Sequence, residues 1–145
     1  MIRIAALAAV LAVAGATVVV AQNDPIAARK AAMKQKGAAT AEAAKMARGD
    51  APFNLDAAKK TFQVYLDVAK VAPGLFPASS KTGGDTTASP KIWEDEAGFK
   101  AAFAKMEKDA TDALASVKDL DTFKVAFGNA TKNCAGCHQL YRITK

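Results

Sequence analysis

Histidine is almost missing from this chain. His138 is the only one in 145 residues, and Cys134 and Cys137 are the only cysteines. Acid–base chemistry by a histidine pair is therefore excluded, and no paired acid and base surround these residues. No nucleotide-binding glycine loop and no strand pattern occur, which removes the nucleotide-dependent enzymes and the thioredoxin-like α/β frame. A formal net charge of +6, spread along the chain, is too small to specify nucleic acid as a partner. It suits solvated helix surfaces and acidic protein partners.

Long apolar runs are equally scarce. The one present, the 17 residues from Ile4 to Val20, follows Met1, Ile2 and Arg3 at the N-terminus. That length is marginal for a hydrocarbon core of about 30 Å. Val19-Val20-Ala21 before Gln22 ends the run on small residues, as a signal-peptidase site does. The expectation is a cleaved signal peptide at 1–21 and one domain at 22–145, with no stable membrane insertion after cleavage. A retained anchor is the competing reading. Export places the two cysteines in an oxidising compartment, where they become a disulfide, a metal site or a thioether attachment.

The rest of the chain is rich in alanine and lysine and reads as helix nearly throughout. Asp24-Pro25 predicts a first helix, with Ile26, Arg29, Met33, Gly37, Thr40, Ala44 and Ala47 on one face. It ends at Gly49-Asp50-Ala51-Pro52. Asn54 predicts the cap of a second helix, whose stripe is Leu55, Ala58, Phe62, Tyr65, Leu66 and Ala69. Pro73 to Ser89 is the longest irregular stretch. Ser89-Pro90 predicts a third helix, striped by Ile92, Phe99, Phe103, Met106, Ala110, Ala113 and Val117. Asp121 is the expected cap of a fourth, with Phe123, Ala126, Phe127, Ala130, Cys134, Cys137, His138 and Tyr141 on its buried side. The expected fold is all-α, an antiparallel up-and-down four-helix bundle. Its stripes are short of large aliphatics, so a bulky apolar cofactor would complete the core.

Chemistry concentrates near the C-terminus. Cys134-Ala135-Gly136-Cys137-His138 has the spacing of covalent c-type haem attachment. Residues three apart share a helix face, so both sulfurs can reach one edge of a haem. His138, beside the second of them, can swing under the ring as an axial iron ligand. Small Ala135 and Gly136 let the porphyrin lie close to the backbone. A catalytic disulfide expects the pair at a helix start, and a zinc site lacks a fourth good ligand. For the second axial position the chain offers Met33, Met46 and Met106, each of which can equally be core filling.

These features resemble the class II c-type cytochromes, the cytochrome c-prime family. The resemblance rests on the terminal haem motif, on Tyr141-Arg142 after it, and on Arg29-x-x-x-Met33 in the first helix. Leu75-Phe76-Pro77 and Ser89-Pro90-Lys91-Ile92-Trp93 are most similar to the low-spin cytochrome c-556 branch. The likeness implies one covalent haem c on Cys134 and Cys137, with His138 as proximal ligand and Met33 as distal ligand. It also implies Arg29 near a haem propionate. Arg29 and Met33, four apart, share a face, and an inner arginine is costly without an anion. Tyr141 and Phe127 are expected as haem-packing side chains. Trp93 reads as an anchor for the central loop, and Arg142 as either a proximal charge or a plain surface residue.

The resemblance implies a periplasmic one-electron carrier, not an enzyme, serving other periplasmic redox proteins, with a homodimer as a further option. In high-spin relatives the distal side chain stays off the iron and leaves it open to nitric oxide or carbon monoxide. The motif alone does not separate the two.

Overall fold

The computed structural model describes residues 24–144; the expected signal peptide lies outside them. Helix α1 is Pro25–Arg48. Asp24 Oδ1 caps it by accepting from the backbone N–H groups of Ile26 (2.9 Å) and Ala27 (3.1 Å). It ends at Gly49, whose φ of 83° is the left-handed turn that glycine adopts without penalty. Helix α2, Leu55–Val71, is capped by Asn54 as expected, through a 2.8 Å bond from Ala57 N–H.

The third helix departs from expectation. Ser89-Pro90 starts only one turn, α3 at Lys91–Glu94. The long helix α4, Glu96–Ser116, has its own cap in Asp95, which accepts from Gly98 N–H at 3.0 Å. The last helix, α5, is Leu120–Tyr141, and its cap is Asp119 rather than Asp121. Asp119 Oδ1 accepts from Thr122 N–H, while Thr122 Oγ1 accepts from Asp119 N–H. That reciprocal pair satisfies two free donors at once, which a lone Asp121 cannot do.

The four long helices pack in the expected ring, α1 on α2, α2 on α4, α4 on α5, with α1 closing onto α5. Two connections are short. The third, residues 72–90, is long and carries two 3₁₀ turns, Ala72–Leu75 and Ala78–Ser80.

The core falls into two clusters at different heights along the bundle. One gathers Phe62, Tyr65 and Phe123, all fully buried, with Met46, Phe127 and alanines 43, 58 and 110. Each large side chain there contributes about 1.5–3 kcal/mol by leaving water. The other cluster holds Val68, Ile92, Phe99, Phe103, Met106 and Tyr141, with Met33, Phe76 and Cys137 packed against it. Among the described residues no helix is long and apolar enough to cross a membrane.

Candidate functional site

The second cluster borders a cavity of about 420 Å³, lined by Arg29 and Met33 of α1 and by Phe99 and Phe103 of α4. His138, Tyr141 and Arg142 close its α5 side, and Phe76 and Thr86 to Ala88 of the long connection close the rest. Pockets of this size and apolar lining, with a few convergent polar groups, are the usual form of cofactor sites.

Helix α5 brings His138 to this cavity. Cys134 and Cys137 are half-buried free thiols three residues apart on the same helix. Burial pushes the Cys137 thiol up, with the charge of Lys36 opposing the shift. His138, expected on the buried side, is exposed on α5; partial desolvation by the surrounding protein is the first cause that lowers it, followed by the positive charges of Lys36 and Arg142. Its neutral ring, the form that binds metal, is thereby favoured. Among the described residues no three His, Cys, Asp or Glu side chains converge on a bare metal site. The His138 imidazole and the Met33 thioether line the cavity; Cys137 packs against the same cluster and lines an adjoining pocket, and Cys134 stands one turn before Cys137 on α5. That set fits a haem: thiols for its vinyl edge, imidazole and thioether for its iron.

Of the three methionines among the described residues, Met33 alone lines the cavity with His138. Met46 packs in the other cluster, and Met106 is buried beside the cavity without lining it. Phe127 is not brought to the site. It stacks on Phe123, centroids 5.5 Å apart and planes 22° apart, in the other cluster. Seven residues separate it from Cys134, about 10 Å along the helix. Tyr141 is at the site, edge-on to Phe99 at 5.3 Å. Its hydroxyl donates to Asp95 Oδ2 at 2.8 Å.

Arg29 lines the cavity but spends its donors elsewhere. Nη1 donates to Ser80 Oγ (2.7 Å) and Leu75 O (3.3 Å). Nη2 donates to Ser80 O (3.0 Å) and Thr86 Oγ1 (2.6 Å). The guanidinium also lies 4.8 Å from the Phe76 ring centroid. Neutral oxygens of the long connection thus answer a buried arginine for which an anion was expected, leaving only Nε–H and the charge for a propionate. Trp93 anchors the same connection, donating from Nε1 to Phe76 O at 3.0 Å.

Two residues were missed. Gly98 admits the Tyr141–Asp95 bond, since a Cβ there would stand 2.5 Å from Asp95 Oδ2 and 2.6 Å from Tyr141 Oη. Lys36 is buried at 8% exposure, where the expected stripe had Gly37, which is exposed. The seven-residue spacing of Arg29, Lys36 and Ala43, all buried, was the available signal.

Known proteins bear on this site. The family model described as Cytochrome C' matches residues 24–142. A cytochrome c' of Rhodopseudomonas palustris is 46% identical over 99% of this chain and 98% of its own length. A cytochrome c-556 of Agrobacterium tumefaciens (strain apple 185) is 37% identical over 81% of this chain and 94% of its own. In three dimensions the chain superimposes on the R. palustris cytochrome c' with a TM-score of 0.82, covering 86% of this chain and 99% of that one. Against oxidised R. palustris cytochrome c556 the TM-score is 0.78 at 29% identity, covering 86% and 99%. With a four-helix bundle, a terminal haem motif and relatives of both kinds, the chain belongs to the cytochrome c' family, the electron-transport haem proteins that carry a covalently bound haem c and its iron.

Proposed function

We propose that this chain is a periplasmic one-electron carrier with a six-coordinate haem. Cys134 and Cys137 hold the haem as thioethers, His138 is its proximal iron ligand and Met33 its distal one. The haem supplies the one-electron couple. The chain's part is to keep two ligands fixed through the cycle, exclude water, and leave an edge for partners to reach. Phe99, Phe103 and Tyr141 provide the apolar wall. Arg29 holds the long connection over the cavity, with Nε–H and its charge remaining for a propionate. Residues 1–21 serve as the export signal in this reading, and other periplasmic redox proteins are the partners.

One observation carries the ligand assignment: Met33 and His138 line the same cavity, and no other methionine among the described residues does. A thioether opposite an imidazole favours the reduced state and suits an electron carrier. The second reading is a gas-binding protein with Met33 off the iron. What favours it is the higher identity to a cytochrome c' than to a cytochrome c-556, 46% against 37%.

The absorption spectrum of the reduced protein, with and without carbon monoxide, separates them. The electron carrier gives sharp low-spin bands indifferent to the gas, and Met33→Ala turns the spectrum high-spin. A wild-type spectrum that is already broad and shifts with carbon monoxide replaces the first reading by the second.

A further inference from the structure

Lys36 is a charge inside the bundle that no carboxylate among the described residues answers. Its side chain is only 8% exposed, and the one hydrogen bond its ammonium donates is to Met106 Sδ, at 3.6 Å. None of the ion pairs among the described residues includes it. A thioether is a weak acceptor. An ammonium removed from water without an anion is costly, and a lysine on a helix ordinarily snorkels to solvent instead. Arg29, buried on the same helix, differs, because four oxygens surround its guanidinium.

The position is as telling as the burial. Arg29, Met33 and Lys36 fall at i, i+4 and i+7 on α1, so the two cations flank Met33 by one turn each. They stand about 10 Å apart along the axis. The Lys36 ammonium reaches Met106, a member of the same cluster against which Met33 and Cys137 pack.

We propose that Lys36 is a fixed positive charge that raises the reduction potential of the haem held by this site. The inference rests on the haem placement proposed above. Reduction there adds one electron, delivered by a redox protein, and removes one unit of positive charge. A cation held nearby in a medium of low dielectric therefore favours the reduced state. Met106 keeps the ammonium in place without neutralising it, which an aspartate or glutamate at that position would do.

The test is a potentiometric titration of the haem-loaded protein, followed by its own absorption bands, for wild type, Lys36→Met, Lys36→Gln and Lys36→Arg. Both neutral variants are expected to shift the reduced-to-oxidised ratio about tenfold toward oxidised at a fixed potential, which is about 59 mV for one electron. Lys36→Arg keeps the wild-type value, and all spectra keep the wild-type form. Should Lys36→Met not fold, the Gln and Arg variants carry the comparison, since they differ in charge at similar polarity. Neutral variants with the wild-type potential overturn the proposal. So does a neutral variant that changes spin state, because Lys36 would then be holding the ligands. A wild-type protein that is high-spin and responds to carbon monoxide defeats the electron-carrier reading alone, and the same potential difference would still uphold Lys36.

Discussion

Tyr141, three residues after His138, donates a 2.8 Å hydrogen bond to Asp95, the residue that caps α4. One carboxylate thus serves both the start of one helix and the end of another, next to the cavity. Beyond Tyr141 the backbone continues the link. Ser89 N–H donates to Tyr141 O at 3.0 Å, and Ile143 N–H donates to Thr87 O at 2.9 Å. The long connection is pinned by these bonds on the α5 side and by Arg29 on the α1 side.

The Asp95 carboxyl is held below its ordinary range, first by the Tyr141 hydroxyl and then by Gly98 N–H. Its contribution to stability is whole above the ordinary carboxylate pKa and declines as pH falls through the depressed value. Tyr141→Phe is expected to move the acid-unfolding midpoint to higher pH and to lower Tm by a few degrees. Gly98→Ala acts in the same direction, because its Cβ occupies the space the bond needs. Circular dichroism against pH reads both, and an unchanged midpoint in Tyr141→Phe removes the bond from the balance.

Arg29→Lys keeps a charge but loses the planar fork that reaches Ser80, Leu75 and Thr86 together. Stability is expected to fall by about 2–3 kcal/mol, because buried acceptors lose charged donors. The loss concentrates in the long connection. Hydrogen exchange should rise at Ser80 and through residues 76–90 well before it rises in α2. Uniform exchange across the bundle would mean that Arg29 does not hold this segment.

Phe127→Leu tests where the haem contact ends. Phe127 stacks on Phe123 in the cluster away from the cavity. The substitution is expected to cost about 1 kcal/mol by urea denaturation and to leave the haem absorption bands unmoved. A changed spectrum would bring Phe127 back to the haem.

Local signals were the legible ones. Asp24-Pro25 and Asn54 each act within a few residues, and each stands where expected; of the terminal motif, the two cysteines are half-buried and His138 is exposed, where the stripe put all three on the buried side. Asp95 was hidden because Ser89-Pro90 is a stronger-looking start, yet it yields a single turn before the chain breaks. Phe127 shows the limit of periodicity, which tells the buried face of a helix but not the height along it. The partners of Arg29 lie 46 to 57 residues away in an irregular segment, where no spacing rule operates. Lys36 was passed over because lysines in an alanine-rich helix normally solvate it, and only packing against Met106 makes this one internal.

Tyr65 gives the pH dependence at the alkaline end. Its hydroxyl is 2.7 Å from Thr40 Oγ1, which itself donates to Lys36 O at 2.8 Å. Burial is the chief cause that pushes the Tyr65 phenol up to about 12, with the Thr40 bond working against it. The unfolded chain loses this proton near pH 10. A raised pKa in the native state contributes fully below that value, and the contribution is lost as pH rises toward 12. Roughly two pH units of displacement correspond to about 2–3 kcal/mol. Wild type is therefore expected to lose stability between about pH 10 and 12, and Tyr65→Phe to lose less over the same window. Urea denaturation at pH 8, 10 and 11 reads the difference. Parallel losses in the two proteins would remove Tyr65 from the alkaline transition.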